Sequence, residues 1–318
     1  MQLKITVNVK YFFVMDWQRS FWLKCVMVIG TCFLLKKLFI KTIFYFSEMK
    51  IKLEQSSFLL KEINEPYYYI LMFDGEASFS IDLVHYDCKG KSLVFLTPYQ
   101  LLKWHDSTAS FINVLNFHGD FYCIEYHKKE VACNGILFND IYNEPFVTVS
   151  DFIYEEITSI MQRMKKVEDS ELDYDNSILK SYLQVILALS SKEKQVKMSP
   201  QVLESIGNAD ILRFQQLLDT HFLEAKEVAF YASKYNLSVN TFSKRIKKHF
   251  GKSPSQLIQE RIVLEAKKLL HLTFKPIREI ADNLNFEDEF YFSRYFKKSV
   301  GVSPKEYRKE VGISIVAK

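Results

Sequence analysis

The segment Phe242-Ser243-Lys244-Arg245-Ile246-Lys247-Lys248-His249-Phe250-Gly251-Lys252-Ser253-Pro254 returns as Phe292-Ser293-Arg294-Tyr295-Phe296-Lys297-Lys298-Ser299-Val300-Gly301-Val302-Ser303-Pro304. The offset is 50 residues throughout, and FS(K/R), KK, G and SP all recur. Self-similarity at a fixed period marks one structural unit used twice.

Each copy carries the physical grammar of two helices joined by a tight turn. In the first, a helix is expected from about Ala225 to Tyr235, with Val228, Ala229 and Ala232 inward. Asn236 falls where the chain must leave that helix, and Asn tolerates the left-handed conformation common at helix ends. Leu237 then turns inward, Ser238 caps the next helix, and Phe242 and Ile246 face the core four residues apart. In the second copy Pro276 opens a helix with Ile277, Ile280, Ala281 and Leu284 inside. Asn285 exits, Phe286 plugs, Asp288 caps, and Phe292 and Phe296 face the core; this turn is one residue longer. Between the copies Ser253 and Pro254 start a long helix, whose buried stripe is Leu257, Ile258, Ile262, Ala266, Leu269 and Leu270. Such a helix is a rigid spacer, and successive major-groove faces of a duplex lie about 34 Å apart.

The second helix of each copy then turns a defined set of side chains outward. In the first copy these are Val239, Asn240, Thr241, Ser243, Lys244, Lys247 and Lys248. Asn pairs with adenine and Lys with guanine in the major groove, which assigns base reading to Asn240 and Lys244. Lys247 and Lys248 suit phosphates, which add affinity without reading sequence. In the second copy the candidates are Glu289, Phe290, Tyr291, Ser293, Arg294 and Lys297. Arg294 is the best base reader, Glu289 suits a cytosine amine and Phe290 a thymine methyl. The acidic trio Glu287, Asp288 and Glu289 stands beside a polyanion, so the second unit is expected to bind more weakly. The plain alternative is a solvated basic helix face; the repetition favours the groove.

Charge is distributed to match. Residues 1–48 carry +5, residues 49–209 carry −8 and residues 210–318 carry +7, within a net +4. A basic C-terminal third on an acidic middle suits a polyanion-binding region on a non-binding body. Hydrophobic content of 48% with only 9 Gly and 7 Pro argues against long disordered stretches. The five cysteines (Cys25, Cys32, Cys88, Cys123 and Cys133) are odd in number and lack CxxC spacing. Reduced thiols in a cytoplasmic protein are the expectation.

Upstream, Tyr67 to Phe73 is rich in strand formers. Asp74-Gly75 reads as a hairpin turn, and Ala77, Phe79, Ile81 and Leu83 alternate with polar residues. Lys89-Gly90-Lys91 turns into Ser92–Leu96, and Phe111–Phe117 ends at His118-Gly119-Asp120. Short strands between turn signals predict a small barrel or jelly roll. Ser150 then caps a helix with Phe152, Ile153, Ile157, Ile160, Met161 and Met164 on one side. Lys165 to Asp175 reads as a loop, and a second helix shows Ile178, Leu179, Tyr182, Leu183, Ile186 and Leu187. The histidines of this region, His85, His105, His118 and His127, form no metal-ligand spacing. No phosphate loop or nucleophile elbow occurs, so no enzyme, cofactor or metal is expected. A β-barrel enzyme fused to a DNA-binding tail remains the alternative.

Phe21 to Phe46 resembles a membrane segment, but Lys24, Lys36, Lys37 and Lys41 interrupt it. Its longest uncharged run, Cys25 to Leu35, is short of the ~20 residues a bilayer requires. Met49 opens a clean domain start, so residues 1–48 read as upstream sequence. A membrane-tethered regulator using residues 20–46 is the rival.

The segment Ile277 to Arg308, IREIADNLNFEDEFYFSRYFKKSVGVSPKEYR, resembles the AraC/XylS family of transcription regulators, and FYASKYNLSVNTFSKRIKKHFGKSPSQLI fits it too. The resemblance covers roughly residues 210–310. It departs at Asn285, where the family usually has Gly, and at Phe290, in place of a small polar residue. It implies a bacterial, cytoplasmic regulator bound to double-stranded DNA, with RNA polymerase, a homodimer partner and an unknown small-molecule effector as further partners. The expected class is α+β and multidomain: an apolar basic extension (1–48), a cupin-like ligand-binding or dimerisation domain (49–147), a helical linker (148–200), an all-α DNA-binding domain with two helix-turn-helix units joined by a long helix (208–311), and a tail (312–318).

Overall fold

A run such as Tyr68-Tyr69-Ile70-Leu71-Met72-Phe73 has no polar side to offer water, and the fold covers both of its faces. The computed structural model describes residues 50–55, 62–109, 111–122, 135–168, 175–197 and 209–313. The expectations for residues 1–48, for Cys123, Cys133 and His127, and for most of the tail lie outside them. The eight strands are β1 (Lys50–Gln55), β2 (Tyr68–Phe73), β3 (Glu76–Ile81), β4 (Val84–Lys89), β5 (Ser92–Leu96), β6 (Leu102–Ser107), β7 (Phe111–Phe117) and β8 (Phe146–Thr148). They form two antiparallel sheets, ordered β1-β7-β2-β5-β8 and β4-β3-β6. Tyr69, Leu71 and Phe73 pack with Phe79, Ile81 and Trp104 of the smaller sheet. Tyr68, Ile70 and Met72 pack the opposite way, against helices α1 (Asp151–Glu168) and α2 (Asp175–Lys197). The result is three layers, with the larger sheet in the middle. A strand buried on both faces reads as a continuous apolar run rather than an alternation.

Several expectations change here. Among the described residues no strand pairing joins the two sheets, so they stand as open sheets and not as a closed barrel. Asp74-Gly75 is not a hairpin turn: β2 and β3 belong to different sheets. The tight hairpin lies one step later, at Asp82 (φ 47) and Leu83 (φ 76), between β3 and β4. Both central residues are left-handed, as in a two-residue type I′ loop. Leu83 is therefore 88% exposed instead of continuing the buried alternation. Strands β4 and β6 were not anticipated because their polar residues (His85, Asp87, His105, Asp106) face water, and β8 is only three residues long.

In α1 the Ser150 carbonyl accepts from Tyr154 N–H at 3.0 Å, but Phe152 is 73% exposed and lies off the buried side. Lys165 to Glu168 continue the helix rather than forming a loop. Ile178 is exposed, and the buried stripe of α2 runs through Leu179, Leu183, Ile186 and Leu187 to Lys194. The Lys194 ammonium donates to the Glu144 carbonyl at 2.8 Å.

The C-terminal region holds α3 (Ala209–His221), α4 (Val228–Lys234), α5 (Val239–Phe250), α6 (Pro254–Leu272), α7 (Ile277–Asn283), α8 (Glu289–Val300) and α9 (Pro304–Val311). The repeat holds at the break that follows the second helix of each copy. Gly251 (φ 70) and Gly301 (φ 91) both end a helix left-handed, donating to Lys247 O and Lys297 O. Glycine meets that conformation without steric penalty. Ser253 and Ser303 then cap α6 and α9 through Gln256 N–H and Glu306 N–H, with Pro254 and Pro304 buried behind them. The inner side of α4 is Tyr231 and Ala232, whereas Ala229 is exposed. Leu269 is half-buried, and the rest of the α6 stripe is buried as expected.

The β layer and the helical region lie in one compact unit, residues 47–318. Lys252 just before α6, Lys267 on α6 and the end of α9 meet the loops of the upstream region directly. Lys252 Nζ donates to Ile141 O (3.1 Å) and Lys267 Nζ to Pro98 O (2.9 Å). His118 Nε2 donates to Glu310 O (2.7 Å). Burial lowers the Lys267 ammonium to about 8. Burial raises the Glu260 carboxyl, an effect opposed by Lys252 at 2.8 Å. Lys252, Glu260 and Lys267 line a cleft of about 250 Å³ between the two regions. Among the described residues no helix is long and apolar enough to cross a membrane.

The left-handed conformation costs a non-glycine residue ~1–2 kcal/mol, and glycine in its place forfeits part of that through chain entropy. Leu83→Gly is expected to stabilise the protein by roughly 0.5–1 kcal/mol, read as a higher urea midpoint at unchanged slope. A lower midpoint contradicts the turn assigned here.

Candidate nucleic-acid interface

The outward faces of α5 and α8 follow from what their opposite faces bury. Phe242 and Ile246 seat α5, and Phe292, Phe296 and Val300 seat α8. Residues four apart share a helix face. Asn240, Lys244 and Lys248 therefore form one exposed row on α5, and Phe290, Arg294 and Lys298 the equivalent row on α8. Lys247 and Lys297 stand exposed beside these rows, and Ser243 and Ser293 are half-buried on the same flank.

The turns that aim these helices repeat. Asn236 (φ 54) and Asn285 (φ 52) both reverse the chain in the left-handed region. Ser238 Oγ accepts from Thr241 N–H at 3.2 Å, and the Thr241 hydroxyl lies 2.9 Å from the same oxygen. Thr241 is thus tied into the cap, while Val239 before it is exposed. Asp288 Oδ1 accepts from Tyr291 N–H at 2.7 Å, so one acid of the Glu287–Glu289 trio is occupied. Glu289 is half-buried, Phe290 is 76% exposed and Tyr291 is 50% exposed with its ring 5.8 Å from Phe286.

The two helices differ in charge. Helix α5 carries Lys244, Arg245, Lys247 and Lys248 and no carboxylate; α8 carries Arg294, Lys297 and Lys298 against Glu289. Partial burial lowers the His249 pKa from its ordinary value, and its ring lies edge-on to Phe250. Two exposed cations escaped the sequence reading, Arg245 and Lys298. Lys298 had a signal, since it is the repeat partner of Lys248.

Two helix-turn-helix units joined by a helix, each turning a cationic row outward, define a duplex-DNA-binding class. A family model described as a helix-turn-helix domain matches residues 231–310. The arabinose operon regulatory protein of Salmonella typhimurium is 36% identical over 92 residues, 29% of this chain and 31% of that protein. The chain thus spans about a third of that relative. The virulence regulon transcriptional activator VirF of Yersinia enterocolitica is 22% identical over 272 residues, 81% of this chain and 95% of that protein. Among solved structures, the C-terminal domain of AraT, a response regulator from Geobacillus stearothermophilus, is 31% identical, covers 34% of this chain and 88% of its own, and gives a TM-score of 0.31. The C-terminal region of this chain is an AraC/XylS-type helix-turn-helix DNA-binding domain, and the matched relatives are transcription regulators.

Phosphate neutralisation releases counterions, so each lost phosphate contact lowers the salt dependence of binding. Lys247→Ala and Lys248→Ala are each expected to weaken binding alike on all sequences and to reduce the log–log salt slope by about 1. Lys244→Ala is expected instead to change base preference. Titrations at several salt concentrations check both; unchanged slopes in both Lys247→Ala and Lys248→Ala contradict the assignment.

Proposed function

We propose that this protein is a cytoplasmic, sequence-specific transcription regulator that places α5 and α8 in successive major grooves on one face of a duplex. The observation that carries this is the repeated outward row, Asn240/Lys244/Lys248 and Phe290/Arg294/Lys298, on two helices that both end at a left-handed glycine followed by a Ser-Pro helix start. Asn240, Lys244 and Arg294 read base edges. Val239, Glu289, Phe290 and Tyr291 shape the readout at the helix starts, with Thr241 holding the cap. Ser243, Ser293, Lys247, Lys248 and Lys297 meet phosphates. The carboxylates at the start of α8 make the second unit the weaker reader.

The strands and α1–α2 form an upstream cupin-like module that controls the DNA-binding domain through a small-molecule effector or through dimerisation. The cleft lined by Lys252, Glu260 and Lys267 supports the effector reading, because a ligand there touches both regions at once. The kinship to proteins named as transcriptional activators supports activation, with RNA polymerase as the partner.

Selection from randomised duplexes at fixed salt, using the full chain, tests the reading. A bipartite motif with half-site centres about one duplex turn, 10–10.5 base pairs, apart is the expected result. A single short motif contradicts base reading by both units, and no motif contradicts the function.

A further inference from the structure

Helices α4 and α5 pack on each other, as do α7 and α8, and both pairs pack on α6. A direct link between the two units runs through one turn. Asn285 Nδ2 donates to Leu223 O at 3.2 Å, and the Asn285 carbonyl accepts from Lys226 Nζ. The same ammonium lies 3.7 Å above the Phe286 ring. Leu223 and Lys226 belong to the loop that leads into α4, so they are part of the first unit. Phe286 is the buried plug beneath the second recognition helix, with its ring 5.3 Å from Phe292 and 5.1 Å from Tyr295. A cation rooted in the first unit therefore grips the residue that seats α8, and an amide of the second unit grips the first in return.

We propose that Lys226 and Asn285 are positioning residues that set the angle and separation of the two units, and so the half-site spacing the protein accepts. This rests on the reading that both units enter grooves. Adding one base pair between half-sites moves the second groove by about 3.4 Å and turns it by about 35° about the duplex axis. A clamped pair of units resists that displacement, whereas a pair joined by α6 alone follows it. Asn285 also meets a backbone requirement with its φ of 52, one that glycine meets equally well. The clamp and the turn can therefore be separated by substitution. Asn285→Gly keeps the left-handed turn and the main-chain acceptor and deletes the amide. Lys226→Met keeps an apolar stem over Phe286 and deletes the ammonium.

The experiment measures full-chain affinity, by fluorescence anisotropy at fixed salt, for a duplex selected by the native protein. The same duplex with one base pair inserted or removed between half-sites is measured beside it. The native protein is expected to lose about tenfold or more on either change, the scale of one poor base contact. Asn285→Gly, Lys226→Met and their combination are expected to lose less than about threefold, with native affinity for an isolated half-site and a near-native melting temperature. The two single variants act independently, so if one lowers the melting temperature the other still reports. Variants that keep the full tenfold spacing penalty overturn the clamp while leaving the two-unit reading intact. A native protein whose selected duplexes contain no bipartite motif overturns both.

Discussion

Helix α6 is the element on which the rest depends. Its buried stripe, Leu257, Ile258, Ile262, Ala266 and Leu270, shares one core with Phe214, Tyr231 and Phe242 of the first unit and Phe292, Phe296 and Tyr307 of the second. Each of these large side chains stabilises the fold by roughly 1.5–3 kcal/mol through removal from water. Polar contacts fix register on the same helix. Arg261 reaches Asp219 at 2.8 Å and lies 3.9 Å over Phe222 on the first side, and Gln259 reaches Ser299 at 2.6 Å on the second. Where α6 turns away from this core, Lys267 donates to Pro98 O in the loop after β5 and His271 to Gly312 O just past α9, while Lys252, just before α6, donates to Ile141 O. One helix thus spaces α5 and α8 and also carries contacts with the upstream region.

The C-terminal architecture was legible because its signals are local. Caps, left-handed exits and four-residue apolar spacing act within one turn of helix, and the repetition supplies each signal twice. Ser238, Asp288, Ser253 and Ser303 cap through their own side chains, and Asn236 and Asn285 hold positive φ. The short α4 was less legible. Its inner position is taken by Tyr231, whose hydroxyl returns to Ala225 O, and a pattern of small residues hid this.

The β region was legible only in pieces, for a physical reason. Strand formers identify β2, β5 and β7, but which sheet a strand joins depends on partners far away in sequence. Asp74-Gly75 has hairpin chemistry, yet the chain crosses between layers there. Asp82-Leu83 has little such chemistry, yet makes the hairpin, held by Asp82 through its bonds to Leu101. In the interface the outward rows could be read from periodicity. The cross-unit bonds of Lys226 and Asn285 could not, because they join residues 59 and 62 apart.

The asymmetry between α5, with cations alone, and α8, with acids at its start, leaves the central claim most exposed at the second unit. Hydroxyl-radical footprinting of the full chain on a selected duplex reads it directly. Two protected patches on one face, centred about 10 base pairs apart, are the result this account gives. A single patch with the neighbouring turn left fully reactive contradicts it.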